Sequence, residues 1–226
     1  MFFAQLPLYE QAILVLAAVV LMLTFFMLAH PRMLSVVHLY ATQSLMLTVA
    51  TALVAYDMQL PHLYVSAALT LLLKTLFVPW LLIRIIDRFE MHFEHDELPH
   101  PFLTVLSAGI IVVFCYHTTL PIAAQLLSVT RNLIAICMAV VLLGMLILIS
   151  RRKAITQVVG FMTLENGLFF AAVSVTRGMP MVVELGVAFD VLVAAIIFGV
   201  FFLHIRESID SLDTSLLSRL TEKDHR

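Results

Sequence analysis

From about residue 9 to residue 204 the chain is a succession of long apolar runs cut by short polar or turn-forming breaks. A helix needs about 20 mostly apolar residues to cross roughly 30 Å of hydrocarbon. Seven stretches reach that length: 9–29, 33–56, 62–86, 102–124, 132–150, 154–176 and 180–204. The interruptions are His30-Pro31-Arg32, Asp57 to Pro61, the 87–101 segment, Leu126 to Arg131, Arg151-Arg152-Lys153 and Arg177-Gly178. Proline, glycine and charge are the usual punctuation of helices. A membrane barrel is built instead from short strands of alternating hydrophobicity, which these unbroken runs do not resemble. The pattern predicts an all-α, polytopic membrane bundle of about seven transmembrane helices.

Composition agrees. Of the 226 residues, 62% are hydrophobic and 12% charged, with a mean hydropathy of +1.05. A soluble domain carries about 45–50% apolar and about 25% charged residues, so the excess apolar surface has to face lipid. The net charge of −2 and the lack of a basic cluster give no reason to expect a nucleic-acid partner. The start, MFFAQLPLYEQ, lacks a basic n-region and a small-residue cleavage site, so the first apolar run reads as a retained span.

Charge adds an orientation, because Lys and Arg collect on the cytoplasmic side. With seven spans, one side holds ten: Arg32, Arg84, Arg88, Arg151, Arg152, Lys153, Arg206, Arg219, Lys223 and Arg226. The other side holds Arg131 and Arg177. The expected topology puts the N-terminus outside and the C-terminus in the cytoplasm, and an even number of spans scrambles the partition.

Against this background the polar residues inside the spans stand out. Lys74 lies near the middle of the third span, Glu165 near the middle of the sixth, and Asp190 slightly outward of centre in the seventh. Glu184 lies near the outer end of the seventh, and Gln43 is an uncharged companion in mid-span of the second. An isolated charge in hydrocarbon costs on the order of several kcal/mol unless it is paired, hydrated or neutralised. A lysine and a carboxylate can pair and simply staple two helices together. Glu165 and Asp190 together exceed the one base, Lys74, and that imbalance favours a functional reading. Groups held between desolvation and an opposite charge change protonation when a nearby charge moves or water enters, and such groups in series are the parts of a proton relay. Asn166, beside Glu165, is placed to orient it or a water, or to pack as a helix-joining amide. Gly160 and Gly167 are expected to let helices approach closely.

No redox or catalytic centre is expected. Cys115 and Cys137 lie in apolar runs outside any CxxC motif. His38, near the cytoplasmic end of the second span, counts as a supporting polar residue. His117 is in the outer half of the fourth, so the two are poorly placed to clamp one haem iron. His92, His95 and His100 sit among Glu94, Asp96 and Glu97, which reads as a solvated acidic loop rather than a metal site. No nucleophile–base pair or phosphate loop appears, so neither cofactor nor metal is expected in this chain.

From about residue 131 the chain resembles subunit K of bacterial complex I: a span, a basic turn (SRRK, 150–153), a span with a mid-membrane Glu in GFMTLENG, a third span with an acid, and a HIRESIDSLD-like tail. The motifs LYATQSLML (39–47), LLLKTLFVP (71–79), GFMTLENGL (160–168) and VELGVAFDVLVA (183–194) together resemble hydrogenase-4 component E, over nearly the whole chain. The resemblance implies a four-helix region at 1–130 followed by a three-helix, subunit K-like region at 131–226. It also implies a non-catalytic membrane subunit of a group 4 [NiFe]-hydrogenase or formate-hydrogenlyase-like complex in a bacterial or archaeal plasma membrane. Antiporter-like and quinone-site-type membrane subunits and a peripheral iron–sulfur arm are its implied partners. Glu165 matches the first membrane glutamate of subunit K and Asp190 the second, although Asp is one methylene shorter. Lys74 has no counterpart there, so its role rests on burial. Two other readings use the same residues: a subunit of a multisubunit cation/proton antiporter, or a purely structural adaptor.

Overall fold

Turn chemistry decides where each apolar run stops. In the computed structural model, which describes residues 7–88, 100–122, 128–175 and Gly186, the first helix, α1 (Leu8–Ala29), ends on an extended His30 (φ −84°, ψ 125°). Pro31 follows, and proline disfavours the helical conformation in the residue before it. The second helix, α2 (Met33–Met58), closes on Gln59, whose φ of 54° is left-handed. Leu60 N–H reaches back to Ala55 O at 3.3 Å, and the Gln59 side-chain amide donates to Tyr56 O at 2.9 Å, so the last carbonyls are satisfied. Pro61 then opens α3 (Pro61–Thr70), where a missing N–H matters least.

The third span is not a uniform α-helix. After α3 comes a π-helical segment, Leu71–Phe77, and then α4 (Val78–Arg88). Pro79 supplies the cause: it has no N–H to give Thr75 O, and its ring crowds that carbonyl. Widening the turn upstream, where Val78 N–H bonds Leu73 O, relieves the crowding. The neighbouring hydroxyls record the change. Thr24, Thr70 and Thr163 return their hydroxyls to the carbonyl four residues earlier. Thr75, inside the π segment, buries its oxygen with no hydrogen-bond partner among the described residues.

The remaining described helices are α5 (Pro101–Ile122), α6 (Ser128–Ser150) and α7 (Ala154–Val175). α1 packs between α2 and α6, α2 meets the third span and α7, and α6 lies along α7. The last pair approaches backbone to backbone: a Cβ on Gly144 would stand 2.5 Å from Leu164 N, and one on Gly160 2.8 Å from Leu148 N. Small residues at such contacts replace the hydrophobic drive that lipid cannot provide. α5 is the outlying helix, with Phe102, Ile110, Val113 and Phe114 exposed on it.

Six of these segments are long and apolar enough to cross a membrane, making this a multi-pass, all-helical membrane protein. The seventh expected span, 180–204, lies outside the described residues apart from Gly186, as do the acidic histidine loop up to residue 99 and the tail. The described helices belong to one compact unit, Met1–Ala188; a second, Phe189–Arg226, lies outside the described residues.

The inside of the unit is layered along the helix axes. Ile13 and Ala17, Leu47 and Val54, Cys137, Phe170 and Val173 form an apolar cluster toward one end. At the opposite, basic end Arg151 is 2% exposed, and its Nη2 donates to Met27 O (3.0 Å), Leu28 O (2.8 Å) and His30 O (2.7 Å). These are terminal carbonyls of α1 with no helical donor of their own, and the positive charge meets the negative end of the helix dipole. Arg151, read from sequence as one of the charges that orient the bundle, is also a buried helix cap. Polar side chains occupy the layer between these ends.

Candidate functional site

Four helical segments converge in mid-membrane. Lys74 comes from the π segment, Glu165 and Asn166 from the middle of α7, Gln43 and Ser44 from α2, and Thr24 from α1. Lys74 is 0% and Glu165 6% exposed, and Lys74 Nζ stands 2.7 Å from Glu165 Oε1. The sequence left open whether Lys74 reaches Glu165, Asp190 or another subunit; within the described residues its ion-pair partner is Glu165. Lys74 also donates to Asn166 Oδ1 at 3.3 Å and lies 5.3 Å from the centroid of the Phe169 ring, one turn beyond Glu165. The ring face adds a cation–π attraction.

From Asn166 the bonding continues across the bundle. Its Nδ2 donates to Gln43 Oε1 and to Ser44 Oγ, both at 3.2 Å. Gln43 Nε2 donates to Thr24 Oγ1 at 2.8 Å and to Val20 O at 3.3 Å, and the Thr24 hydroxyl also donates to Val20 O, at 2.8 Å. A buried polar group is tolerable only when it is satisfied in this way. The chain therefore ties the ion pair to α2 and α1, and polar packing here does the work that helix-joining side chains do in lipid.

Local sequence explains how each group arrives. In LLLKTLFVP the π turn leaves Leu72 and Leu76 exposed while Lys74 and Val78 are buried. In GFMTLENGLF (160–169), Met162, Glu165, Asn166 and Phe169 recur at helical spacing on the buried side of α7. Gly167 meets α6, where a Cβ would stand 2.9 Å from a Val141 methyl. Gly186 lies against the same group: a Cβ on it would stand 3.3 Å from Phe169 Cδ2 and 3.9 Å from Glu165 Oε1.

Of the residues singled out from sequence, the structure brings together Lys74, Glu165, Asn166 and Gln43. His38 is not among them; its Nδ1 lies 2.7 Å from Leu34 O of its own helix, on an exposed face. Glu184 and Asp190 lie outside the described residues. Thr24, Ser44 and Phe169 went unnoticed in the sequence. Thr24 had a signal, a hydroxyl in the otherwise apolar run LVLAAVVLMLTFFMLA. Among the described residues no group of His, Cys, Asp and Glu is disposed to hold a metal ion. The chemistry available is therefore that of a protonatable pair: a cation and a carboxylate in contact, anchored on one side by neutral amides and a hydroxyl.

No family model matches the chain, and no solved structure matches it. Among curated proteins, the uncharacterized protein Rv0085 of Mycobacterium tuberculosis is 30% identical over 154 residues, which is 67% of this chain and 70% of that protein. Hydrogenase-4 component E of Escherichia coli K12 is 25% identical over 181 residues, 80% of this chain and 84% of that protein, and the Shigella flexneri protein of the same name matches equally. Over four fifths of its length the chain is thus a relative of hydrogenase-4 component E.

Proposed function

We propose that this protein is a non-catalytic membrane subunit of a hydrogenase-type, complex I-related complex in a prokaryotic plasma membrane. In that role it contributes buried protonatable groups to redox-coupled proton or sodium movement. The observation that carries the reading is the fully buried Lys74–Glu165 pair at mid-span. A pair that served stability alone is readily replaced by packed apolar side chains, and ionisable groups at this depth are a mark of ion pathways. The relatives named hydrogenase-4 component E supply the context of a multisubunit assembly. Its partners on this reading are antiporter-like and quinone-site-type membrane subunits, through which a peripheral iron–sulfur arm drives the movement. Asp190 and Glu184, on the seventh expected span, are the further stations.

The test is Glu165→Gln in the complete complex, which removes the titratable group at nearly constant volume. Assembly, followed on blue-native gels, is expected to persist while proton movement into vesicles during turnover falls by at least about tenfold. Full proton movement in that variant removes the relay role. Loss of the assembled complex, with coupling unaffected in what remains, transfers the residue to a structural adaptor.

A further inference from the structure

We propose that the exposed ridge of the third span, running from Leu72 through Trp80 to Arg88, binds one anionic phospholipid. Its phosphate is held by the guanidinium groups of Arg84 and Arg88, and an acyl chain lies along the leucines. The ridge is on the exposed side of a span whose Lys74 is buried, and the site stands whether or not the ion pair relays protons.

The ridge follows the helical spacing of four. Leu72, Leu76, Trp80, Arg84 and Arg88 succeed one another about a turn apart, and all are exposed. Tyr64, further back on the same span, is exposed as well. At about 1.5 Å per residue, Tyr64 and Trp80 stand roughly 24 Å apart along the axis, a little under the depth of the hydrocarbon. Aromatic rings at the two interfaces, with leucines between them, mark a strip that faces lipid. Those leucines offer a partner helix no polar group to recognise.

Past Trp80 the ridge turns cationic. Helical side chains lean toward the helix N-terminus, which at this end of the span is toward the hydrocarbon. Arg84 follows that lean: its Cζ lies 5.3 Å from the centre of the Trp80 ring, and the Phe77 ring centre is 6.2 Å from the same ring. A guanidinium stacked on an aromatic face keeps its N–H edge free for a bidentate bond to phosphate. Arg88 stands one turn nearer the end of α4. Among the described residues neither arginine has an ion-pair partner, although Asp87 is exposed beside them. With Asp87 counted, the three side chains still leave one positive charge. That charge is presented at the level of the tryptophan, where a phospholipid carries its phosphate. A choline or ethanolamine headgroup brings a further cation up to the arginines. A phosphatidylglycerol headgroup brings none, so its negative charge meets theirs unopposed.

Trp80 is the single tryptophan of the chain, so its fluorescence reads this ridge alone. The full chain is reconstituted in phosphatidylcholine vesicles containing equal fractions of either phosphatidylglycerol or phosphatidylcholine brominated in the acyl chains, which quench a tryptophan on contact. Quenching is expected to give an association constant at least about fivefold higher for phosphatidylglycerol. Arg84→Gln should bring that ratio below about twofold, and Arg84→Lys, which keeps the charge but loses the planar fork, should keep less than about half of it. Equal quenching by the two lipids in the wild-type protein overturns the proposal without any variant. Quenching by neither does the same, because protein then covers the ridge. A preference that Arg84→Gln leaves unchanged overturns it too, since the basic side as a whole then draws the lipid; so does one that Arg84→Lys retains in full. Excess inorganic phosphate at constant ionic strength should leave the ratio unchanged, and a ratio that it abolishes assigns the arginines to a free anion instead of a lipid.

Discussion

Substituting Gly144 by alanine tests the packing that holds the ion pair in place. The added Cβ would stand 2.5 Å from Leu164 N, 2.8 Å from Leu164 Cα and 3.0 Å from Gly160 O. All three are backbone atoms, so no side chain can swing aside. Carbon atoms in good contact sit about 3.5–4.0 Å apart, so α6 and α7 must separate by about 1 Å, a gap that forfeits roughly a quarter to a half of each dispersion contact across it. Overpacking of this kind costs about 1–3 kcal/mol, and the better helix propensity of alanine returns up to about 1 kcal/mol. The net loss of about 1–2 kcal/mol corresponds to a midpoint lower by roughly 2–8 °C for a chain of this length. The assay is stepwise heating of the tagged protein in detergent-solubilised membranes, reading the fraction left in the monodisperse chromatographic peak. Gly109→Ala is the control: nothing lies within 4 Å of its Cβ position, so the midpoint should hold or rise by a few degrees, about what helix propensity alone supplies. Gly160 shares the contact, since its Cβ position is 3.2 Å from Gly144 O. The double variant should therefore cost less than the sum of the singles. An unchanged midpoint for Gly144→Ala, or an equal fall for Gly109→Ala, refutes the backbone-to-backbone contact.

Two further substitutions probe features away from the pair, read by the same heating assay. Arg151→Gln should lower stability by at least about 2 kcal/mol, because three carbonyls of α1 lose a charged donor. A single nitrogen makes all three bonds, so Arg151→Lys should recover a good part of the loss; a lysine variant no better than glutamine would mean that the guanidinium plane itself is needed. Thr75→Val, which removes a buried oxygen lacking a partner among the described residues, should raise stability by about 1 kcal/mol. A fall of that size would show instead that the hydroxyl is hydrogen-bonded, for example to water.

Much of this architecture was legible in the sequence, and the reasons are particular. Glu165 and Lys74 were conspicuous because a charge in an apolar run is expensive, and depth counting placed both near mid-membrane, where they are found. The breaks at His30-Pro31-Arg32 and from Asp57 to Pro61 were readable because proline and helix ends have fixed chemistry. What the sequence did not specify was which acid Lys74 meets: that depends on the rotation of each helix about its axis, set by three-dimensional packing rather than by composition. Thr24 stayed hidden because a hydroxyl that bonds its own helix is unremarkable until Gln43 from another helix is seen to reach it. Arg151 announced its charge and concealed its burial, since a basic turn reads the same whether its side chains lie in water or under a helix end. The π segment had a visible cause in Pro79, yet proline permits a kink, a break or a widened turn, and the letters do not choose among them.

That widened turn has a consequence for how the site is inherited. A π turn is in effect one extra residue threaded into an α-helix, and each residue of an α-helix advances the side chains by about 100°. Deleting a single residue between Leu71 and Lys74 would let the span relax into an ordinary helix of nearly the same length. It would also carry the lysine round toward the face now held by Leu72 and Leu76. The number of residues leading up to the lysine is therefore as much a part of the site as the charges, and an alignment that slides a gap into the leucines of LLLKTLFVP discards the feature that turns Lys74 inward.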